Sequence, residues 1–427
     1  MNTSETFKEF LSNLVISNKE EISGKYKGIT KALNIDFWDS ESEIDNSLQV
    51  GSYGRKTAIK SISDLDMIFE LSQEDYKYYN EKEKNGQLLL LQDVKASIAK
   101  SYTTTDIKVD RYVVVVNFSN HKFEVCPVFI QTDGRYKFPD SYNGGKWKFT
   151  NPRPEIDEIN DFDKTTNQNL KNLSKMTRAW KNKCGVKIGG LLVDTLCYEF
   201  LQNNEDHWET NYSNYDILVR DYFEFLKDYD KERKEWSAPG SKQVVYKKGS
   251  NFISKAKKAH ENILEAIEKK GNDTVYSIWK RVFGYPFPYP KAIKEASMNY
   301  SSKEQYIEDL YAVDITNSLS IDCRVKQNGF QDGLLRMLNR LRVNKDLYFY
   351  IEHTDVVEPY DVLWKIKNEG EIANAKNMLR GEILEDKGGK ERYEKTSFKG
   401  SHFVECYIIK NNVCVARDRI DVPISEY

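Results

Sequence analysis

Apolar residues recur at helical spacing over residues 5–34, first at Phe7, Phe10, Leu11 and Leu14, then at Ile22, Tyr26, Ile29 and Leu33. That spacing predicts one or two amphipathic helices. After Trp38 the pattern shortens. LDMIFEL (65–71), KVDRYVVVVNF (108–118) and FEVCPVF (123–129) are rich in β-branched and aromatic residues and read as strands, the last two joined by a turn at SNHK (119–122). LLLLQDVKASIAK (88–100) between them carries a helical pattern. Residues 1–164 are therefore expected to form an α/β module around a mixed or antiparallel sheet.

From 165 to 290 the pattern is helical, in KNLSKMTRAWKNK, LLVDTLCYEFL, DILVRDYFEFLKDY and FISKAKKAHENILEAIEKK. It stops at FGYPFPYP (283–290), where three prolines cannot continue a helix and bias the residues before them toward extended backbone. A linker over 291–311, with a short polar helix near 301–311, then leads to β-patterned runs: DLYFYIEH, YDVLWKIKN, HFVECYIIK and VCVARDRIDVPI. Residues 312–427 are expected to be a small β-rich domain, which makes the chain α+β overall.

Composition narrows the class. Hydrophobic residues make up 39% and charged residues 30%, with a mean hydropathy of −0.68, and no apolar run reaches the roughly 18 residues a membrane span requires. The start, MNTSETFKEFLSNLV, lacks the basic head and apolar stretch of a secretory leader. Six scattered cysteines without a CxxC read as reduced thiols, and His402 beside Cys406 reads as packing rather than ligation. A cytoplasmic protein without a membrane partner is the expectation. The net charge of −2 argues against a stable complex with nucleic acid, whose binders carry excess basic charge.

Candidate chemistry gathers in QVGSYGRKTAIKSISDLDMIFEL (49–71). Gly51-Ser52 precedes a helix-like run to about Ser61. Such a pair is an ordinary helix start, or a phosphate site in which glycine admits close approach and the hydroxyl and first N–H groups donate. Asp64 and Asp66 lie two apart on a strand and share one face, opposite Leu65 and Met67. They end a solvated strand, or they hold a cation, and Mg²⁺ prefers such oxygen ligands. Glu124, with apolar Phe123 and Val125 on the opposite face, would complete a two-metal set. Asp110 is the competing acid.

Gly-Ser, then DxD, then a later acidic strand resembles the DNA polymerase beta-like nucleotidyltransferases. GSYGRKTAIKSISDLDM followed by FEVCPVF more closely resembles the bacterial CD-NTases, relatives of cyclic GMP-AMP synthase and oligoadenylate synthase that make nucleotide second messengers in antiphage defence. The resemblance covers residues 5–290. Residues 312–427 resemble the adenylyl/guanylyl cyclase and SMODS C-terminal sensor domain. It implies a polymerase beta-like sheet, metals (Mg²⁺, or Mn²⁺) on Asp64, Asp66 and Glu124, and NTP substrates positioned by Gly51 and Ser52. It further implies an effector that binds the product, and an activating ligand or regulatory protein. It also implies a triphosphate contact from the basic helix at 171–187. Lys175 and Arg178, one turn apart, are the candidates there, and the other basic residues are expected to be solvated. Two departures stand out: Glu124 replaces the usual aspartate, and KIGGLLVDT carries glycines at 189–190 where relatives often have serine. A linear oligonucleotide, modification of RNA or protein, or an inactive nucleotide sensor are the competing functions. A sensor without catalysis would be expected to lack one of the three acids.

Overall fold

A computed structural model describes residues 1–60, 64–82, 84–119, 121–247, 249, 252–290, 304–326, 332–338, 341–369 and 371–424. The amino-terminal pattern resolves into two helices, α1 (Thr3–Asn13) and α2 (Lys19–Trp38). Asn2 starts the first with a capping box, its side chain accepting from the Glu5 N–H while the Glu5 carboxylate accepts from the Asn2 N–H. The two helices serve different cores. Phe7, Phe10 and Leu11 of α1 join the helical region, whereas Ile22, Ile29 and Leu33 of α2 cover the sheet.

That sheet is built from β1 (Ser47–Gln49), β2 (Asp64–Glu70), β3 (Asp106–Asp110), β4 (Val113–Asn117) and β5 (Lys122–Ile130), in the order β1-β2-β5-β4-β3. β6 (Tyr136–Asp140) and β7 (Lys146–Thr150) continue from the far end of β5. A single turn, α3 (Gly51–Gly54), links β1 toward β2, and α4 (Gln73–Asn80) and α5 (Gly86–Ser101) follow β2. β2 and β5 run parallel and the other pairs antiparallel, so the sheet is mixed.

Two sequence expectations are corrected here. KVDRYVVVVNF is not one strand: it turns at Arg111-Tyr112 into the hairpin of β3 and β4, which leaves Asp110 exposed at the end of β3. The helix after Gly51 ends at Gly54 rather than near Ser61. Lys56 takes a left-handed φ of 60°, a conformation that cannot propagate a right-handed helix. Residues 61–63 lie outside the described residues.

The helical region comprises α6 (Pro152–Thr165), α7 (Asn169–Cys184), α8 (Gly190–Gln202), α9 (Tyr215–Lys227), α10 (Phe252–Glu268) and α11 (Val275–Phe283). A small hairpin, β8 (Glu235–Ser237) with β9 (Val244–Tyr246), interrupts it where the sequence pattern predicts helix alone. The proline segment closes this core, with Phe287 packed between Trp279 and the rings of Phe7 and Phe10.

Beyond it stand α12 (Ile307–Leu310) and the C-terminal strands; residues 301–303 of the expected polar helix lie outside the described residues. The strands are β10 (Ala312–Val313), β11 (Leu319–Lys326), β12 (Gly333–Leu334), β13 (Asp346–Thr354), β14 (Asp361–Glu369), β15 (Arg380–Glu385), β16 (Glu391–Lys395), β17 (Gly400–Lys410) and β18 (Val413–Ile424), with α13 (Glu371–Ala375) after β14. They form two sheets, ordered β10-β18-β17-β14-β15 and β12-β11-β13-β16. The inner faces meet through Phe349, Trp364 and Ile408.

Candidate active site

Alternation along β2 points Asp64 and Asp66 away from the core that receives Leu65 and Met67. β5 lies parallel beside it, with Asp66 opposite Glu124 and Asp64 opposite Lys122. Three acids of the candidate set therefore share one face of two neighbouring strands. Asp110 stands apart, at the exposed end of β3.

Lys122 is not among the residues the sequence pattern singles out. Its Nζ lies 2.9 Å from Glu124 Oε1 and 3.5 Å from Asp64 Oδ1. The cation between the carboxylates is thus a lysine from the neighbouring strand. The signal for it was present, because a residue two before Glu124 on one strand must share its face.

The Gly51 turn seats directly on this cluster. Gly51 has φ +62°, and a Cβ placed on it would stand 1.9 Å from Asp66 Oδ2, so only glycine fits. The Val50 N–H donates to the Asp66 carbonyl at 2.9 Å and fixes the turn to β2. The opening N–H groups of a helical turn have no acceptor within the helix, and among the described residues those of Gly51, Ser52 and Tyr53 take none elsewhere, beside the partly buried Ser52.

Burial pushes the Asp66 carboxyl up to about 7, and the charges of Glu124 and Asp64 push the same way, against Arg55 and Lys122. The cluster is short of positive charge even with Lys122 in it. Among the described residues no three His, Cys, Asp or Glu side chains converge tightly enough to enclose an ion; Lys122 draws Asp64 and Glu124 to itself. The donor set still fits a hard divalent cation, since every available ligand is a carboxylate oxygen and the unmet need is for positive charge.

Arg178 is placed differently from expectation. Its guanidinium is buried and donates to both oxygens of Asp194, at 2.6 and 3.0 Å, and to the Gly190 carbonyl at 3.0 Å. Asp194 also accepts from Arg55 Nε at 2.9 Å and from Thr57 Oγ1 at 3.0 Å. Burial alone would raise the Asp194 carboxyl, but Arg178 and Arg55 hold it below its ordinary value. Arg178 thereby acts as a strut: α7 and α8 grip the end of the Gly51–Thr57 turn through Asp194. Lys175, one turn earlier, is partly buried and makes no hydrogen bond or ion pair among the described residues. Burial lowers the pKa of its ammonium.

The other basic residues of this stretch are not solvated. Lys171 pairs with Asp163 at 3.2 Å, Lys181 with Asp314 at 3.0 Å, Lys183 with Glu405 at 2.8 Å and Lys187 with Asp355. Gly185, φ +63°, brings the end of α7 so close to β18 that a Cβ would stand 2.0 Å from the Arg417 carbonyl oxygen. One end of α7 therefore serves the candidate site, and the other docks the C-terminal domain.

Residues 1–163 match the model of the Second Messenger Oligonucleotide or Dinucleotide Synthetase domain, and residues 301–425 that of the Adenylyl/Guanylyl and SMODS C-terminal sensor domain. A cyclic AMP-AMP-AMP synthase of Acinetobacter sp. is 21% identical over 307 residues, covering 70% of this chain and 89% of its own. A probable cyclic nucleotide synthase of Bacillus cereus is 21% identical over 274 residues, covering 56% and 81%. Among solved structures, E. coli MS115-1 CdnC in complex with HORMA-deltaN aligns with a TM-score of 0.52 at 15% identity, over 67% of this chain and 98% of that one. The Vibrio cholerae DncV cyclic AMP-GMP synthase aligns at 0.50 and 14% identity, over 67% and 97%. At these identities the two structures speak for a shared fold.

Proposed function

We propose, for a chain that belongs to the bacterial CD-NTases, that it joins NTPs into a cyclic oligonucleotide second messenger in cytoplasmic antiphage defence. The observation that carries this reading is the seating of the Gly51 turn against Asp66, with Asp66 facing Glu124 across two parallel strands. The opening turn of α3 and the carboxylate cluster are thereby held within one side-chain length of each other.

In the proposed reaction a ribose hydroxyl oxygen of one nucleotide attacks the α-phosphorus of another. The bond to pyrophosphate breaks, the hydroxyl proton passes to solvent, and a second such step closes the ring. Asp64, Asp66 and Glu124 would hold Mg²⁺, or Mn²⁺, which when bound supplies charge neutralisation at the phosphates and acidifies the attacking hydroxyl. Gly51 and Ser52 donate to the triphosphate, Lys175 adds the ammonium, and Asp194 with Arg178 keeps the turn in place. Transfer of this kind rests on positioning and charge more than on covalent participation by the protein. Lys122 neutralises Asp64 and Glu124 as the site stands, and these two carboxylates are the ones it would share with a bound ion. The C-terminal domain is read as the receiver of an activating ligand or regulatory protein, and the product as the signal for a separate effector.

The test is incubation of the purified chain with each labelled NTP and with mixtures, in Mg²⁺ or Mn²⁺, followed by phosphatase treatment and chromatography. A phosphatase-resistant product absent from Asp64→Ala/Asp66→Ala is the expected result. A phosphatase-sensitive oligomer would replace the cyclic reading with a linear one, and failure to bind either nucleotide or metal would overturn the site assignment.

A further inference from the structure

The sheet that contains β14, β17 and β18 has one apolar face and one on which Leu363, Tyr407 and Ile409 pack with Ile307 beside a buried charged cluster. Trp364, Ile366, Val404, Cys406 and Ile408 enter the apolar core between the two C-terminal sheets. The opposite face carries Lys365, Lys367, Glu405 and Arg417, all buried, with Lys365 directly across from Glu405. Lysines are almost never buried without a partner, because desolvating an unpaired ammonium is costly.

The partner comes from outside the sheet. Glu304, in the segment that leads into the domain, sets one carboxylate oxygen 3.0 Å from Lys365 Nζ and the other 2.9 Å from Lys367 Nζ. The Gln305 carbonyl accepts a further bond from Lys365 at 2.8 Å. Glu308, on α12 of the same segment, takes Arg417 at 2.9 Å. Glu405 is already shared between Arg417 and Lys183 of α7, at 3.1 and 2.8 Å. Without the segment, Lys365, Lys367, Arg417 and Lys183 face the single carboxylate of Glu405; Glu304 and Glu308 bring the carboxylates to three against these four cations.

We propose that this face is a binding site for a compact polyanion of the phosphate class, and that Glu304 is its intramolecular stand-in. Two carboxylate oxygens on two ammonium groups occupy the places that two phosphate oxygens would take. The segment is anchored elsewhere as well: Gln305 N donates to the Gly381 carbonyl at 3.0 Å and Ile383 N to Gln305 Oε1 at 2.7 Å, at the edge of β15, and Ile307 is buried against Leu363 and Tyr407, so a ligand that replaces the Glu304 carboxylate need not release the whole segment. A cavity of about 1640 Å³, bordered by Lys183, Lys280, Glu304, Tyr306 and Glu308, reaches the carboxylate from the side of the helical region. The Tyr306 ring, on the same segment as Glu304, lies 4.8 Å from Lys365 Nζ and 4.8 Å from the ring of Tyr285, which borders the cavity and offers an aromatic face on which a base stacks. Burial raises the Glu304 carboxyl, but Lys365 and Lys367 outweigh it and hold it low, as an anion in a cationic seat requires. Because Glu405 serves both this face and Lys183, ligand exchange here alters the charge against which α7 is docked.

The site is independent of the nucleotidyl-transfer reading, and its test reads binding rather than catalysis. The full-length chain, in EDTA, is titrated calorimetrically with inorganic tripolyphosphate and separately with ATP. A tethered carboxylate competes at about millimolar effective concentration, so Glu304→Gln is expected to tighten binding about tenfold. Lys365→Met/Lys367→Met in the Glu304→Gln background leaves no lone charge at the seat and is expected to abolish that binding, with folding checked by circular dichroism. Tighter binding of ATP than of tripolyphosphate would identify a nucleotide ligand, and equal binding a phosphate group alone; both support the site. In the wild-type chain, which needs no variant, tripolyphosphate is expected to accelerate hydrogen exchange over residues 304–310. Binding that neither substitution moves would place the probe elsewhere on the chain and overturn the proposal, as would unchanged exchange over 304–310.

Discussion

Asp66 and Asp194 are both set into the protein close to Arg55, and they meet opposite fates. Asp194 receives two guanidinium groups and a hydroxyl and is held below its ordinary value. Asp66 has two further carboxylates beside it and is pushed up to about 7 by burial and by their charge. Residue type and neighbourhood are alike; the set of partners decides. A buried carboxylate with complete partners ties elements together, whereas one without them keeps an unmet need for positive charge, the mark of a site that binds something.

The strongest way to sharpen the contrast is to neutralise each acid in turn. Asp66→Asn is expected to lower kcat about a thousandfold or more, read by product chromatography. It should nevertheless make the metal-free protein more stable. The Asp66 carboxyl is raised above its unfolded value of 3.8, so between there and about 7 the native state keeps a proton the unfolded chain has released. Stability in EDTA therefore falls as pH rises through that window. Asp66→Asn removes this part of the slope and gains about 1–3 kcal/mol at pH 8 in urea denaturation. Asp194→Ala should do the reverse, costing about 3–5 kcal/mol, because the buried Arg178 keeps only backbone carbonyls and Arg55 only Glu155 at 3.6 Å. Equal stability losses from the two substitutions would break the comparison.

Smaller effects refine it along α7. Lys175→Met is expected to raise KM for the NTP about tenfold, a loss of roughly 1.4 kcal/mol, without moving the urea midpoint. Lys183→Met should leave KM unchanged and cost about 1 kcal/mol in unfolding, since Glu405 keeps Arg417. An exchange of those two outcomes would reverse the assignment of the helix ends.

The shared face of Asp64, Asp66 and Glu124 was legible because its information is local. Alternation around Asp64, Asp66 and Glu124 places side chains by counting along a strand, and the prolines after Phe283 mark the end of the helical region for an equally local reason. The Arg111-Tyr112 turn escaped because the residues on both sides of it favour strands. Lys122 was legible in principle and hidden by its place beside a turn. The roles of Arg178, Lys181 and Lys183 were out of reach, because their partners are remote: Asp314 lies 133 residues from Lys181, and Glu405 lies 222 from Lys183. A basic helix whose acids lie far along the chain reads as a solvated or phosphate-binding face until the second domain is folded onto it.

The central claim is that the Asp66 cluster takes a divalent ion together with nucleotide. Electron paramagnetic resonance of Mn²⁺, titrated into the full-length chain with a non-hydrolysable ATP analogue, tests it most directly. The account predicts nucleotide-enhanced Mn²⁺ binding that Asp66→Asn and Glu124→Gln abolish and Lys183→Met leaves intact. Mn²⁺ binding that is equally strong in wild type and Asp66→Asn, or absent from both, would contradict it.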